Sequence, residues 1–244
     1  MNPISIDVTI IIPVKDEADN ILPLAAELAQ VMNRQAWSWE CLWVDDGSTD
    51  QTLTFLQTLT QSDPRHRYLS FQSNVGQSAA LWAGFGSARG AVIATMDGDG
   101  QNDPADLPVL VDAVRRGDTD MANGYRQKRK DTKIRRISSH VANQFRTWMT
   151  GKSVRDVGCS TRAFRRECVA VLPQFKGMHR FLPTLVMLQG FRLSELPVNH
   201  RPRLRGCSKY TIGNRLWVGL ADTFGVCWLR KRAFRYQIKA QSDG

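Results

Sequence analysis

Four short strand-like runs, separated by helical patterns, limit what this chain can fold into more than any other feature. The first, Val8-Thr9-Ile10-Ile11-Ile12-Pro13-Val14, has no polar alternation and is stopped by a proline, as expected of a strand buried on both faces of a parallel sheet. A polar loop, Lys15-Asp16-Glu17-Ala18-Asp19-Asn20, then opens a helix expected over 21–32. A second strand, 40–44, leads into Asp45-Asp46-Gly47-Ser48-Thr49-Asp50, where Ser48 or Thr49 is placed to cap a helix over 52–60. A third strand at 68–71, a small-residue helix over 79–87 and a fourth strand at 91–96 complete the alternation. Such a β-α-β-α-β-α-β order predicts an α/β fold with a doubly wound, mostly parallel sheet.

In open sheets of this kind ligands bind beyond the carboxyl ends of the strands. Three acidic clusters fall there: Asp16/Glu17, Asp45/Asp46 and Asp97/Asp99. The last carries the most chemistry. Met96 runs directly into Asp97-Gly98-Asp99-Gly100-Gln101-Asn102-Asp103-Pro104. Carboxylates at i and i+2 of an extended segment point to the same side, and two anions held that close repel unless a cation lies between them. Hard divalent ions such as Mg²⁺ take oxygen ligands of this type and keep places for substrate phosphates. Glycines at 98 and 100 leave room for a bulky anion to approach the backbone. Taken alone, Asp-Gly-Asp reads first as a polar turn after a buried strand; three acidic loops on one rim favour a metal–diphosphate site. The Gly-x-Gly-x-x-Gly of a dinucleotide fold and the Gly-Lys-Ser/Thr of a phosphate-binding loop are both missing.

Charge is distributed unevenly. Residues 1–125 hold 7 Lys and Arg against 17 Asp and Glu, whereas residues 126–244 hold 26 against 6, within an overall balance of +10. The acidic half suits a cation and the basic half an anionic partner: phosphate, a membrane surface or nucleic acid. The basic half shows neither the aromatic stacking signature of RNA-binding sheets nor a helix-turn-helix pattern, so nucleic acid is not expected. Five scattered cysteines without a Cys-x-x-Cys pair argue for a reducing compartment and against a zinc site or disulfide frame. No secretory leader is visible after Met1, and a cytoplasmic location is expected.

Further along, a helix is expected over 105–116 and a short strand over 121–126, ending in Arg126. The charged run 127–133 precedes a helix from 134 to about 150, on which Arg135 and Ser139 share a face and could jointly hold a phosphate. Near the end, residues 216–229 lean apolar with two tryptophans, followed by Arg230-Lys231-Arg232. No run is long enough to span a bilayer. This stretch reads as a membrane-interface helix with a basic tail, or else as a helix packed on its own domain.

These motifs together resemble glycosyltransferase family 2, specifically its polyprenyl-phosphate glycosyltransferases of the dolichyl-phosphate mannose synthase type. The resemblance covers about 6–220 and rests on Ile11-Ile12-Pro13-Val14-Lys15-Asp16-Glu17, Val44-Asp45-Asp46-Gly47-Ser48-Thr49-Asp50, Asn74-Val75-Gly76-Gln77, Met96-Asp97-Gly98-Asp99-Gly100-Gln101 and Gly206-Cys207-Ser208-Lys209-Tyr210. It implies a GT-A catalytic domain over 1–212, with a nucleotide-sugar half (1–125) and an acceptor half (126–212), and a membrane-proximal amphipathic helix with its basic tail over 213–244. By position, Pro13, Val14 and Glu17 are expected to line the nucleoside pocket, and Asp45 or Asp46 to contact base or ribose. Gln77 and Gly98 fall among the donor-binding residues. Asp97, Asp99 and Gln101 are expected to hold a divalent metal, Mg²⁺ or Mn²⁺, bridging the donor diphosphate. Arg126, Arg135 and Ser139 match acceptor-phosphate positions, and Arg203 and Lys209 match positions that close over the diphosphate. The segment Asp156-Val157-Gly158-Cys159-Ser160-Thr161-Arg162 departs from the family's Asp-x-x-Ser-Gly-Phe-Arg but keeps Asp156 and Arg162. Asp156 is either a participant or the ion-pair partner of a nearby arginine.

The implied reaction is inverting transfer of a sugar from a UDP- or GDP-sugar to a polyprenyl phosphate, by a protein held peripherally on the cytoplasmic membrane face or docked on a separate membrane protein. A phosphate acceptor is already anionic and needs positioning rather than a strong base. A sugar hydroxyl, the acceptor in the alternative reading, would need a base, for which Asp156 is the candidate.

Overall fold

The run Val8–Val14 forms strand β1, and its side chains alternate between two hydrophobic cores. Val8, Ile10, Ile12 and Val14 face one layer, while Ile11 faces the other. This explains the missing polar alternation: both faces of the strand are covered. The computed structural model describes residues 6–127, 154–202 and 215–232, with only the backbone given for 215–220.

Among these residues β1 is followed by α1 (Ala18–Met32), β2 (Trp39–Asp45), α2 (Thr52–Ser62), β3 (His66–Ser70), α3 (Gln77–Ser87) and β4 (Val92–Thr95). After a 3₁₀ turn at Pro104–Asp106 come α4 (Leu107–Arg115), β5 (Met121–Arg126), β6 (Arg162–Arg165), α5 (Arg166–Ala170), α6 (Leu182–Leu188), β7 (Leu193–Val198) and α7 (Arg215–Arg232). The strands form one seven-stranded sheet in the order β3-β2-β1-β4-β6-β5-β7. Neighbours are parallel except where β6 inserts antiparallel between β4 and β5. Helices α1 and α4 cover one face through Leu24, Leu28, Leu110 and Val114. On the other face, α3 and α6 pack Leu81, Phe85, Leu182 and Leu185 around Phe164 and Phe181. The doubly wound, mostly parallel sheet expected from the alternation is therefore present.

One local expectation needs correcting. Neither Ser48 nor Thr49 caps α2. Ser48 Oγ accepts the Asp16 amide at 2.8 Å, and the Thr49 amide donates to Asp16 Oδ1 at 2.6 Å. Asp50 instead accepts the Thr52 amide, at 2.9 Å, because the loop after β1 competes for the two hydroxyls. Strands β6 and β7 are additions to the sequence reading. Helix α7, left open above between an interfacial and a packed helix, has one face in the domain core. Thr223, Val226 and Cys227 are buried, Val226 in the α3/α6 core, whereas Phe224 and Trp228 stay 58% and 63% exposed. Among the described residues no helix is long and apolar enough to cross a membrane.

Candidate active site

Strands β1 and β2 end together at Val14 and Asp45, β4 ends at Thr95 opposite Ile11, and the residues following all three make one rim of the sheet. Gly98 sets how closely that rim closes. A Cβ there would lie 2.4 Å from Val14 Cγ1 and 3.3 Å from the Pro13 carbonyl, so only glycine lets the Asp97–Asp99 segment lie against the end of β1. Pro13, Val14 and the Asp97–Asp99 segment thus lie side by side, with the Val14 side chain buried in the core.

Asp97 is held by two amide side chains. Its amide donates to Asn102 Oδ1 at 2.9 Å, and Gln77 Nε2, from the first turn of α3, donates to its Oδ1 at 2.8 Å. Asn102 Oδ1 also accepts from Ser160 Oγ at 3.0 Å, and the Ser160 carbonyl accepts from Thr95 Oγ1 at 2.7 Å, which ties the loop before β6 to the end of β4. Burial pushes the Asp97 carboxyl above its ordinary pKa, and the Asp99 charge adds to the push; Ser160, Arg162 and Arg126 oppose it. Asp99 Oδ1 accepts the Gln101 amide at 3.1 Å. The Gln101 carbonyl accepts the Arg201 amide at 2.9 Å, and Arg201 reaches Glu27 at 2.6 Å and Asp103 at 2.7 Å. Arg201 thereby walls one side of a cleft lined by Asn20, Leu24, Asp99 and Gly100.

The second acidic cluster is spent on shaping the rim. Asp45 is 1% exposed and accepts from the Ser48 amide at 2.9 Å and Ser70 Oγ at 2.7 Å. Asp46 gathers the loop before α3, accepting from Val75 N at 2.7 Å, Gly76 N at 2.9 Å and Asn74 Nδ2 at 2.7 Å. In the first cluster, Glu17 Oε2 accepts from Asn20 Nδ2 at 2.6 Å, beside Asp16, whose backbone sits at a left-handed φ of 47°.

On the acceptor side, Arg126 and Asp156 form a bidentate pair, Nε to Oδ2 at 2.7 Å and Nη2 to Oδ1 at 2.8 Å, with side chains 16% and 8% exposed. Asp156 is thus the ion-pair partner of an arginine. Arg162, only 3% exposed, donates to Asn123 Oδ1 at 3.1 Å, the His179 carbonyl at 3.1 Å and the Val157 carbonyl at 2.8 Å. Burial draws its pKa down, and the Asp97 and Asp156 charges act against that. The expected sites Arg135, Ser139, Arg203 and Lys209 lie outside the described residues. The sequence reading missed Asn102, Ser160 and Arg201, whose partners are distant in the chain.

With this geometry in view, known proteins are informative. The profile of glycosyl transferase family 2 matches residues 9–172. The chain belongs to that family. It is 37% identical over 226 residues to dodecaprenyl-phosphate galacturonate synthase of Rhizobium johnstonii, covering 91% of this chain and 64% of that protein. It is 33% identical over 205 residues to undecaprenyl-phosphate 4-deoxy-4-formamido-L-arabinose transferase of Salmonella choleraesuis, covering 84% of this chain and 62% of the relative. The chain therefore spans a little under two thirds of each of these relatives. Among solved folds, glucosyl-3-phosphoglycerate synthase of Mycobacterium tuberculosis, crystallised with Mn²⁺, UDP-Glc and phosphoglyceric acid, superposes with a TM-score of 0.69 at 17% identity, over 91% of this chain and 80% of that one. A mannosyltransferase of Pyrobaculum calidifontis in complex with GDP-Man and Mn²⁺ gives 0.60 at 18% identity, over 94% and 65%. These likenesses establish the GT-A type of fold for this family 2 domain.

A divalent cation, implied by the family, fits the residues present. Among the described residues no three His, Cys, Asp or Glu side chains converge on one point. The residues that would hold the cation are Asp97 and Asp99 with Gln101 two residues on, a hard oxygen set of the kind Mg²⁺ or Mn²⁺ shares with phosphates. Burial, and after it the Asp99 charge, raises the Asp97 pKa, and a cation between the two carboxylates would offset both.

Proposed function

We propose that this family 2 domain transfers a sugar, with inversion, from a nucleotide-diphosphate sugar to a polyprenyl phosphate at a membrane surface. The observation that carries the reading is the pairing of opposites on one rim. Asp97 and Asp99 stand beside the end of β1, and the Arg126 guanidinium, fixed by Asp156, is near enough for its charge to act on Asp97. A cation held by Asp97, Asp99 and Gln101 would offset the charge that develops on the departing diphosphate. Pro13, Val14 and Glu17 would line the nucleoside pocket. Arg126, with Arg135 and Ser139, would position the acceptor phosphate and offset its repulsion with the donor. Arg203 and Lys209 would approach the diphosphate from its outer side.

Two observations favour a phosphate over a sugar hydroxyl as acceptor. Both oxygens of Asp156 accept from Arg126, so this carboxylate is engaged in holding a cation rather than presented as a base. The relatives named above are both polyprenyl-phosphate enzymes by name. Access to the lipid falls to α7, whose outward stripe of Phe224 and Trp228 ends in Lys231 and Arg232, an arrangement suited to an anionic bilayer surface.

The reading is tested by incubating the purified chain with vesicles carrying a polyprenyl phosphate, Mg²⁺ or Mn²⁺, and a panel of radiolabelled UDP- and GDP-sugars. Label is expected in the lipid phase with at least one donor, and chelation should abolish it. Transfer to soluble or lipid-linked sugar hydroxyls, with none to the polyprenyl phosphate, would favour the alternative acceptor.

A further inference from the structure

The turn Met178–Arg180 touches the site without belonging to any assigned motif, and it is built into α3 by one buried hydroxyl. Ser78, 8% exposed on the first turn of α3, has its Oγ 2.7 Å from His179 Nδ1, and it accepts the Gly177 amide at 3.0 Å. The His179 amide approaches the same oxygen at 3.5 Å. With both lone pairs approached by amide protons, the arrangement that uses every donor sends the Ser78 proton to Nδ1 and leaves the imidazole proton on Nε2. The His179 carbonyl is in turn fixed by the buried Arg162 at 3.1 Å.

The turn is also backed from outside. A Cβ on Gly177, whose φ is 97°, would sit 2.4 Å from Asp222 Oδ2 on α7, and Arg180 Nη1 lies 3.6 Å from the same oxygen. Ser78 is the residue after Gln77, whose amide holds Asp97 Oδ1 at 2.8 Å. On the other side of Gln77, Asp46 grips the amides of Val75 and Gly76. The first turn of α3 is thus clamped at both ends, with the Asp97-orienting side chain between the clamps.

We propose that Ser78 and His179 are positioning residues for the metal–diphosphate site, acting through Gln77 to fix the direction of the Asp97 carboxylate. This rests on the assignment of Asp97 to a cation under the proposed function. Asn at 179 can place an acceptor where Nδ1 lies, whereas Phe fills the space without one.

The test is Mn²⁺ binding in the presence of UDP or GDP, whichever supports it in the wild type, followed by electron paramagnetic resonance, with thermal unfolding measured in parallel. Ser78→Ala and His179→Phe are expected to weaken binding about tenfold, the equivalent of about one lost hydrogen bond, while His179→Asn stays near wild type. In a Gln77→Ala background the further loss from Ser78→Ala should vanish, because the effect runs through Gln77. Additive losses in the double variant would overturn the proposal, as would lower melting temperatures with unchanged Mn²⁺ binding. Wild-type protein that binds no Mn²⁺ with either UDP or GDP would overturn both this proposal and the function it rests on. Normal wild-type binding that all variants share would overturn this proposal alone.

Discussion

Asp99→Asn is expected to lower turnover by about 10²–10³-fold, the usual cost of removing one group aimed at charge developing in a transition state. Asp97→Asn should do the same with an opposite signature in stability. Burial and the neighbouring Asp99 raise the Asp97 pKa in the folded protein, so the folded state binds this proton more tightly than the unfolded chain does. Stability from this group is therefore present below the ordinary carboxylate pKa and is lost as pH rises through the raised value. At neutral pH the charged carboxylate costs stability, and Asn removes that cost while its Oδ1 can still accept from Gln77. The melting temperature of Asp97→Asn should equal or exceed that of wild type, and activity should collapse. This is the separation expected of a residue kept for chemistry at the expense of the fold. A melting temperature well below wild type, or activity within threefold of it, would count against the account.

The largest expected loss of stability is at Arg162. Its guanidinium is buried and spends its donors on three neutral oxygens: Asn123 Oδ1, the Val157 carbonyl and the His179 carbonyl. Those acceptors come from β5, the loop before β6 and the turn after α5, so one side chain joins three segments beneath the rim. Arg162→Met would leave all three without that donor and remove a positive charge that acts on Asp97, costing about 3–5 kcal/mol. Arg162→Lys keeps the charge but lacks the planar fork and should recover only part of the loss. The midpoint of urea unfolding measures both, and a Met variant within about 1 kcal/mol of wild type, the worth of a single hydrogen bond, would contradict this role.

Local pattern carried the first half of the fold because each element there announces itself. β1, β2 and β4 are apolar runs closed by acidic loops, and each is separated from the next by a helical pattern. The same reasoning does not reach β6, four residues with an arginine at each end, because nothing in so short a segment distinguishes strand from loop. Its place between β4 and β5 comes from tertiary pairing: Ala163 lies opposite both Ala94 and Ala122. The carboxylate pair at 97 and 99 was visible as a motif, whereas its support was not. Asn102 meets Ser160 across 58 residues, and Arg201 meets Glu27 across 174. Such pairs leave no trace in spacing. Asp45 and Asp46 looked like ligand contacts from their position after β2, and their oxygens are largely committed to Ser48, Ser70 and the loop at 74–76. An acidic residue after a strand can build the rim as readily as it can face the ligand, and sequence alone does not separate the two.

The central claim is that the rim carboxylates hold a divalent cation together with a nucleotide diphosphate. Anomalous diffraction from crystals of the protein grown with Mn²⁺ and UDP tests it most directly. The account predicts a manganese peak in coordination contact with the carboxylates of Asp97 and Asp99, with diphosphate oxygens completing its shell. A well-ordered nucleotide bound elsewhere, or bound at this rim with no metal against either carboxylate, would contradict it.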